Sequence, residues 1–81
     1  MELRDTIEMM CSEDYRERFR AEYWQTKVRY ERLHRLIVQY EARKLPFELS
    51  CPIEYHREQA VIMREYLHHL EVRAELENIE L

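Results

Sequence analysis

The stretch that decides the fold lies in the middle of the chain and reads Lys44-Leu-Pro-Phe-Glu-Leu-Ser-Cys-Pro52. It contains both prolines of the 81 residues, and the chain has no glycine. Proline is the main breaker of helices, and glycine is the usual residue of positive-φ turns and tight hairpin loops. The segments on either side are therefore free of helix breakers. The sequence predicts an all-α antiparallel helical hairpin that folds back at this linker.

The predicted hairpin is a single domain over residues 1–81. It divides into an N-terminal turn or helix (1–12), a helix (13–44), a linker (45–52) and a second helix (53–78). Leu45, Phe47 and Leu49 are too apolar for a free loop, and we expect them to plug the closed end of the hairpin.

Both predicted helices carry an apolar seam in which residues recur with spacings of four and three, as in packed helices. In the first helix the seam consists of Phe19, Tyr23, Thr26, Tyr30, Leu33, Ile37 and Tyr40. In the second it consists of His56, Ala60, Met63, Leu67, Leu70 and Ala74. Two helices alone bury only one seam, and so short a chain builds only a marginal core. We therefore expect self-association into a helical oligomer.

The composition excludes several classes of function. Dinucleotide-binding and P-loop fingerprints need glycine where the backbone meets the phosphate, so both are excluded. Cys11 and Cys51 form neither a disulfide framework nor a CxxC zinc pair. No apolar run exceeds four residues, and the N-terminus lacks a basic-then-apolar signal pattern. We expect no membrane segment and a cytoplasmic location.

The charge is unevenly distributed along the chain. The net charge of −4 argues against general nucleic-acid binding. Residues 13–43 carry eight Lys or Arg and six acidic residues, whereas residues 44–81 carry four and eight. This difference favours packing the two segments against each other, and it leaves cationic groups available to an anionic partner.

Two stripes of polar and aromatic residues flank the predicted seams. The first stripe, on the first helix, consists of Arg16, Arg20, Tyr23, Lys27, Tyr30 and His34. The second stripe, on the second helix, consists of Gln59, Tyr66 and Arg73 at intervals of seven. Cations contact phosphates, aromatic faces stack on bases, and Gln or Tyr can read base edges. A pocket between two such edges can enclose a small nucleotide.

The predicted ligand-binding residues are Arg20, Tyr23, Lys27, Tyr30, His34, Gln59, Tyr66 and Arg73. The alternative is that the tyrosines only fill the core and that the arginines are solvated flanks of the seam. The spacing alone does not decide between the two interpretations.

Other groups of residues are weaker candidates for a metal site or a catalytic site. The motif Glu-x-x-His occurs at Glu31-Arg-Leu-His34 and at Glu65-Tyr-Leu-His68, as in di-iron carboxylate bundles. A di-metal protein is therefore an alternative, but the two further carboxylates that it needs have no inward-facing candidates. Ser12 and Ser50 resemble helix caps, and neither cysteine has a histidine at helical spacing. We predict no catalytic residue, metal or other cofactor.

Two runs carry a family resemblance. They are Ala21-Glu-Tyr-Trp-Gln-Thr-Lys-Val-Arg-Tyr-Glu-Arg-Leu-His34, continued through Tyr40-Glu, and Gln59-x-x-x-Met63-x-x-Tyr66-x-x-x-Leu70-x-x-Arg73. They resemble small helical-hairpin proteins of phages and prophages, and the outline is similar to the hairpin domain of phage anti-CBASS and anti-Thoeris sponge proteins. The resemblance implies a homo-oligomer, from dimer to hexamer, that sequesters cyclic oligonucleotide or cyclic ADP-ribose signals without cleaving them.

In those sponge proteins, tyrosine, lysine and arginine side chains from adjoining subunits hold the ligand. The resemblance implies the same role for Tyr23, Lys27, Tyr30, Tyr66 and Arg73. The expected function is that of a phage-encoded inhibitor of bacterial nucleotide-signalling immunity, acting in the cytoplasm of the infected host. The alternative is a phage accessory protein that binds a host protein through its helical aromatic face.

Overall fold

The computed structural model describes all 81 residues and contains helices without strands. A 3₁₀ turn at Leu3–Thr6 leads into α1 (Ile7–Met10), which is followed by the long helices α2 (Tyr15–Glu41) and α3 (Ile53–Glu77). The predicted all-α class is confirmed, and the packing of α2 against α3 agrees with a hairpin. Neither long helix has a stretch apolar enough to cross a membrane.

The start of α2 is fixed by a side-chain cap. The carboxylate of Asp14 accepts a hydrogen bond from the backbone N–H of Arg16 at 2.9 Å. Ser12, two residues earlier, accepts from the backbone N–H of Asp14 at 3.0 Å. Asp14 thus satisfies one of the unpaired N–H groups of the first helical turn. As a result α2 begins at Tyr15, two residues later than the predicted start at residue 13, and its cap is Asp14 rather than Ser12.

The core lies at the end of the hairpin where α2 begins and α3 ends. Six side chains form it: Phe19, Tyr23, Leu67, Leu70, Ala74 and Ile79. Ile79 follows α3 and reaches back, because Asn78 takes a left-handed conformation (φ 56°) and the Ile79 N–H bonds the Ala74 carbonyl at 2.8 Å. This is a typical C-terminal helix cap, and it folds the tail over the core.

The N-terminal segment covers the face of α2 that points away from α3. Ala21 and Val28 are buried on that face. Gln25 donates a hydrogen bond to the hydroxyl of Thr6 at 3.0 Å, and Thr6 is itself buried. The segment packs on α2 alone and leaves the outer face of α3 uncovered.

Candidate functional site

The central part of the first stripe holds a free cation beside aromatic rings. Lys27 is half-buried and makes no ion pair or hydrogen bond through its ammonium group. The ring of Tyr30 stacks on the imidazole of His34, with centroids 6.0 Å apart and planes 16° from parallel. Tyr23 is buried, and its hydroxyl donates to Glu71 Oε2 at 2.7 Å. This part of the stripe therefore offers a positive charge next to an ordered pair of rings.

The N-terminal part of the first stripe holds the C-terminal tail. Arg16 Nη1 donates to the carbonyl of Asn78 at 2.9 Å, and Arg20 Nε donates to the carbonyl of Glu80 at 2.6 Å. A guanidinium has five N–H donors, so Arg20 keeps its terminal nitrogens for another contact.

Tyr66 and Gln59, in the second stripe, both lie on exposed positions of α3. The hydroxyl of Tyr66 donates to a carboxylate oxygen of Glu22 on α2. Gln59 makes only a long contact, 3.8 Å, from its amide nitrogen to the sulfur of Met63. Gln59 thus remains available to a ligand, and Tyr66 is oriented by a bond between the two helices.

Arg73, the third member of the second stripe, is held by three neighbours. Its Nη2 donates to the hydroxyl of Tyr15 at 2.8 Å, and its Nε lies 3.3 Å from Glu77 Oε2. The guanidinium also lies 5.0 Å from the centroid of the Phe19 ring, a distance at which cation–π attraction acts. Partial burial lowers the pKa of Arg73, but Tyr15 and Glu77 outweigh it and raise the pKa overall.

Within one hairpin the two stripes lie on opposite edges of the seam. Glu22 and Tyr23 are adjacent on α2 and therefore point about 100° apart. Glu22 pairs with Tyr66 on one side of α3, and Tyr23 pairs with Glu71 on the other. The structure consequently places the members of each stripe along one edge of their helix and keeps the two stripes apart.

Three tyrosine–glutamate hydrogen bonds join the helices, and sequence reasoning missed all of them. Besides the pairs of Tyr23 and Tyr66, the hydroxyl of Tyr15 donates to Glu77 Oε1 at 2.9 Å. Each pair joins a tyrosine on one helix to a glutamate on the facing edge of the other. Periodicity gives only the edge of a helix, however, and the partner of each tyrosine depends on the register between helices.

These bonds favour the protonated tyrosines. Burial, together with the bond to Glu71, raises the pKa of Tyr23 to about 12. The bond to Glu22, reinforced by burial, raises the pKa of Tyr66 above its usual value. The bond to Glu77 does the same for Tyr15. All three phenols therefore remain neutral donors at neutral pH.

Two clefts on the surface of the hairpin do not gather the predicted residues. A cleft of about 600 Å³ beside Tyr23 is otherwise lined by three glutamates and the apolar tail, which makes it unsuited to phosphate. A cleft of about 1080 Å³ at the linker contains Arg43 and Arg57, but Glu41 and Glu48 balance their charge. A single hairpin thus presents stripes and no preformed anionic-ligand pocket.

The Cys51 thiol lies 3.3 Å from His56 Nε2 beside the linker. The sequence contains no signal for this pair, because a spacing of five does not place two residues on one helical face and Cys51 precedes α3. The Glu-x-x-His motifs form no group of three or more His, Cys, Asp or Glu side chains.

A profile of the Sequestin family matches residues 13–76, which is well over half of the chain. The chain belongs to the Sequestin family. No curated protein and no solved structure matches it. The predicted relationship to a signal-sequestering family is confirmed, and the Sequestin name indicates that the role is to bind and sequester a molecule rather than to convert it.

The Sequestin match begins just before α2 and ends within α3. It therefore contains both stripes, the linker and most of the core. It leaves out the 3₁₀ turn, α1 and the tail after α3. The part of the chain that defines Sequestin membership is the hairpin that positions the candidate ligand-binding residues.

Proposed function

We propose that this Sequestin protein is a phage-encoded inhibitor of bacterial nucleotide-signalling immunity. It acts in the cytoplasm of the infected host, where it binds a cyclic nucleotide or cyclic ADP-ribose signal and withholds it from its receptor. The observation that carries this proposal is the free ammonium of Lys27 beside the stacked rings of Tyr30 and His34, in a member of a sequestering family.

The first stripe supplies the two interactions that a nucleotide needs. Lys27, with the unused donors of Arg20, contacts the phosphate. The stacked pair formed by Tyr30 and His34 offers an aromatic face to the base, and stacking of this kind contributes about 1–3 kcal/mol per base. Tyr23 is a supporting residue, since its buried ring and its bond to Glu71 fix the edge of α2 that carries Lys27 and Tyr30.

The second stripe contributes from another copy of the chain, because it lies on the opposite edge of its own hairpin. Gln59 offers an amide, Tyr66 an aromatic ring, and Arg73 those guanidinium donors that Tyr15 and Glu77 do not use. Their bonds within the hairpin orient Tyr66 and Arg73 before the ligand arrives. The active species is then a homo-oligomer, from dimer to hexamer.

The mechanism is stoichiometric. The ligand leaves the signalling pool because it is held between subunits, and the proposal assigns no bond-breaking role to any side chain. Ligand recovered after heat denaturation of the complex should accordingly be chemically unchanged, as measured by mass spectrometry. A cleaved product would contradict sequestration.

Titration calorimetry against a panel of cyclic dinucleotides, cyclic trinucleotides and cyclic ADP-ribose isomers tests the proposal. At least one of these ligands should bind the parent protein. Lys27→Ala should weaken that binding at least tenfold, since a hydrogen bond to a charged group contributes about 1.5–3 kcal/mol. Arg32→Ala is the matched control, because Arg32 is an exposed cation about 140° around the same helix from Lys27.

Tyr66→Ala and Arg73→Ala should each weaken binding at least tenfold as well. Circular dichroism must show unchanged helicity, because both residues also join the two helices. If no ligand of the panel binds, or if all three alanine variants bind like the parent, the proposal is wrong.

A host protein is the alternative partner, and the exposed apolar side chains favour it. Tyr55, Ile62 and Leu76 project from α3 without cover in the hairpin. Recovery of one stoichiometric host protein with the tagged chain, in the absence of nucleotide binding, would support this alternative.

A further inference from the structure

A thiol and an imidazole meet beside the linker, in a part of the molecule to which the proposed function assigns no role. The sulfur of Cys51 lies 3.3 Å from His56 Nε2, and both side chains are half-buried. When the ring proton is on Nδ1, Nε2 accepts the proton of the thiol. A nucleophile within hydrogen-bond reach of a base is the usual arrangement of an activated cysteine. Cys51 and His56 therefore form a nucleophile–base pair.

The thiol of this pair is accessible to small molecules. Cys51 lines the cleft of about 1080 Å³ at the linker, whereas His56 does not. Leu45, Phe47 and Leu49 line the same cleft, and their apolar side chains can contact the carbon skeleton of a small reagent. Cys51 thus has the cleft on one side for an incoming reagent and His56 as a neighbour for its proton.

The other charges around the cleft cancel. Arg43 and Arg57 line it together with Glu41 and Glu48. Cys51 lies just before the first turn of α3, and no side chain caps that end of the helix. The positive end of the helix dipole favours a negative charge at this position. The imidazole and the helix end are therefore the two features that distinguish Cys51 from an ordinary thiol.

Cys11, the other free cysteine, provides a contrast within the same chain. It is exposed and follows α1, far from any histidine of α3 near the linker. Each long helix is about 40 Å long, so the two thiols lie too far apart to form a disulfide within one chain. Exposure alone predicts that Cys11 reacts faster than Cys51. Activation by His56 predicts the opposite order.

We propose that Cys51 is a site of covalent modification by small disulfides, with His56 as the base that takes the thiol proton. The sulfur of Cys51 attacks one sulfur of the disulfide, a new S–S bond forms, and the original S–S bond breaks. The leaving group departs as a thiolate and receives the proton from His56. Cys51 is thereby oxidised to a mixed disulfide, and the other half of the reagent is reduced to a thiol.

Dithiobis(nitrobenzoic acid), an aromatic disulfide that releases a coloured thiolate, tests this proposal in two single-cysteine variants. Cys11→Ser leaves Cys51 as the only thiol, and Cys51→Ser leaves Cys11. At neutral pH, Cys51 should react about tenfold faster than Cys11, although it is less exposed. Mass spectrometry of the first variant should show a mixed disulfide at Cys51. In concentrated urea the two thiols should react at similar rates, because unfolding separates Cys51 from His56.

His56→Gln, made in the Cys11→Ser background, isolates the contribution of the base. Glutamine can still form a hydrogen bond with the sulfur but cannot take up its proton, so the reaction should slow about tenfold. His68→Gln in the same background is the matched control, because His68 is an exposed histidine of the same helix. It should react at the same rate as Cys11→Ser alone. Circular dichroism should show equal helicity in all variants.

Three results would overturn the proposal. They are a folded Cys11 that reacts as fast as Cys51, a faster reaction of Cys51 that persists in urea, and a His56→Gln variant that reacts as fast as its His68→Gln control. The second result would assign the reactivity to the local sequence, and the third would assign it to a group other than the imidazole. None of these measurements involves a nucleotide, so the proposal stands or falls separately from the proposed function.

Discussion

The two ends of the hairpin carry the same four–three apolar pattern but bury it very differently. At the terminal end, where α2 begins and α3 ends, Phe19 and Leu70 are almost completely buried. At the linker end, His56 and Met63 are only half-buried, and Tyr40 is exposed. Heptad spacing therefore shows which residues can form a seam. How far each becomes buried depends on how many elements meet there.

The two ends differ in burial because different elements cover them. The terminal end is covered by the 3₁₀ turn, by α1 and by the tail that carries Ile79. The linker end has only the two helices and the linker, and among its apolar side chains only Ile37 and Ile53 are buried. We expect most of the stability of the hairpin to come from the terminal end.

Leu70→Ala should have the largest effect on stability. Leu70 is 0% exposed, and replacing a fully buried leucine by alanine costs about 2–5 kcal/mol through lost burial and the cavity left behind. Urea denaturation followed by circular dichroism measures the loss. For so small a core, this loss can unfold much of the population.

Phe47→Ala at the linker end is the matched comparison. Phe47 is exposed, so its truncation should change the free energy of unfolding by no more than about 0.5 kcal/mol. Equal destabilisation by the two substitutions would contradict the contrast between the ends.

The second largest expected effect is a loss of stability of the hairpin at alkaline pH. The folded state raises the pKa of Tyr23 from 10.0 to about 12, so folding favours the protonated phenol. This contribution is complete below about pH 10 and is lost as the pH rises towards 12. Its upper limit is about 2–3 kcal/mol, because one pKa unit corresponds to about 1.4 kcal/mol. Urea denaturation over this pH range, together with tyrosinate absorbance, measures it.

Tyr23→Phe removes the hydroxyl group and its hydrogen bond but keeps the aromatic ring, so it measures the two contributions separately. The aromatic ring stays in the core, and Glu71 is exposed and can be hydrated, so the loss should be about 1 kcal/mol at neutral pH. The variant should also lose less stability at alkaline pH than the parent. Tyr30→Phe is the control, since the Tyr30 hydroxyl has no partner in the hairpin, and its stability should equal that of the parent.

The sequence predicted the architecture because its signals are local. The missing glycines, the two prolines of the linker and the alternating spacing together fix two long helices and one reversal. The prediction that Phe47 plugs the closed end was wrong, and Leu45 and Leu49 are only half-buried. An apolar residue in a linker is buried only when another element covers it, and none does so here.

For the candidate site, the sequence predicted the two stripes but not where they lie relative to each other. Spacing placed Lys27 and Tyr30 on one edge of α2, and Tyr66 with Arg73 on one edge of α3. That these edges lie on opposite sides of the hairpin depends on the rotation of each helix about its axis. The bonds from Tyr66 to Glu22 and from Tyr23 to Glu71 reveal that rotation. Long-range contacts of this kind leave no periodic signal.

The smallest expected effects come from replacing the two residues that have a left-handed backbone conformation, one after each long helix. Although the chain has no glycine, Arg43 after α2 and Asn78 after α3 have positive φ angles of 60° and 56°. A left-handed conformation is unfavourable for most residues and is tolerated best by Gly and then Asn. Arg43→Gly should therefore stabilise the hairpin by about 0.5–1 kcal/mol, and Asn78→Gly by no more than a few tenths. Thermal denaturation should resolve a higher Tm for the first variant and almost none for the second. A lower Tm for Arg43→Gly would mean that the arginine side chain contributes more at the linker than its backbone costs.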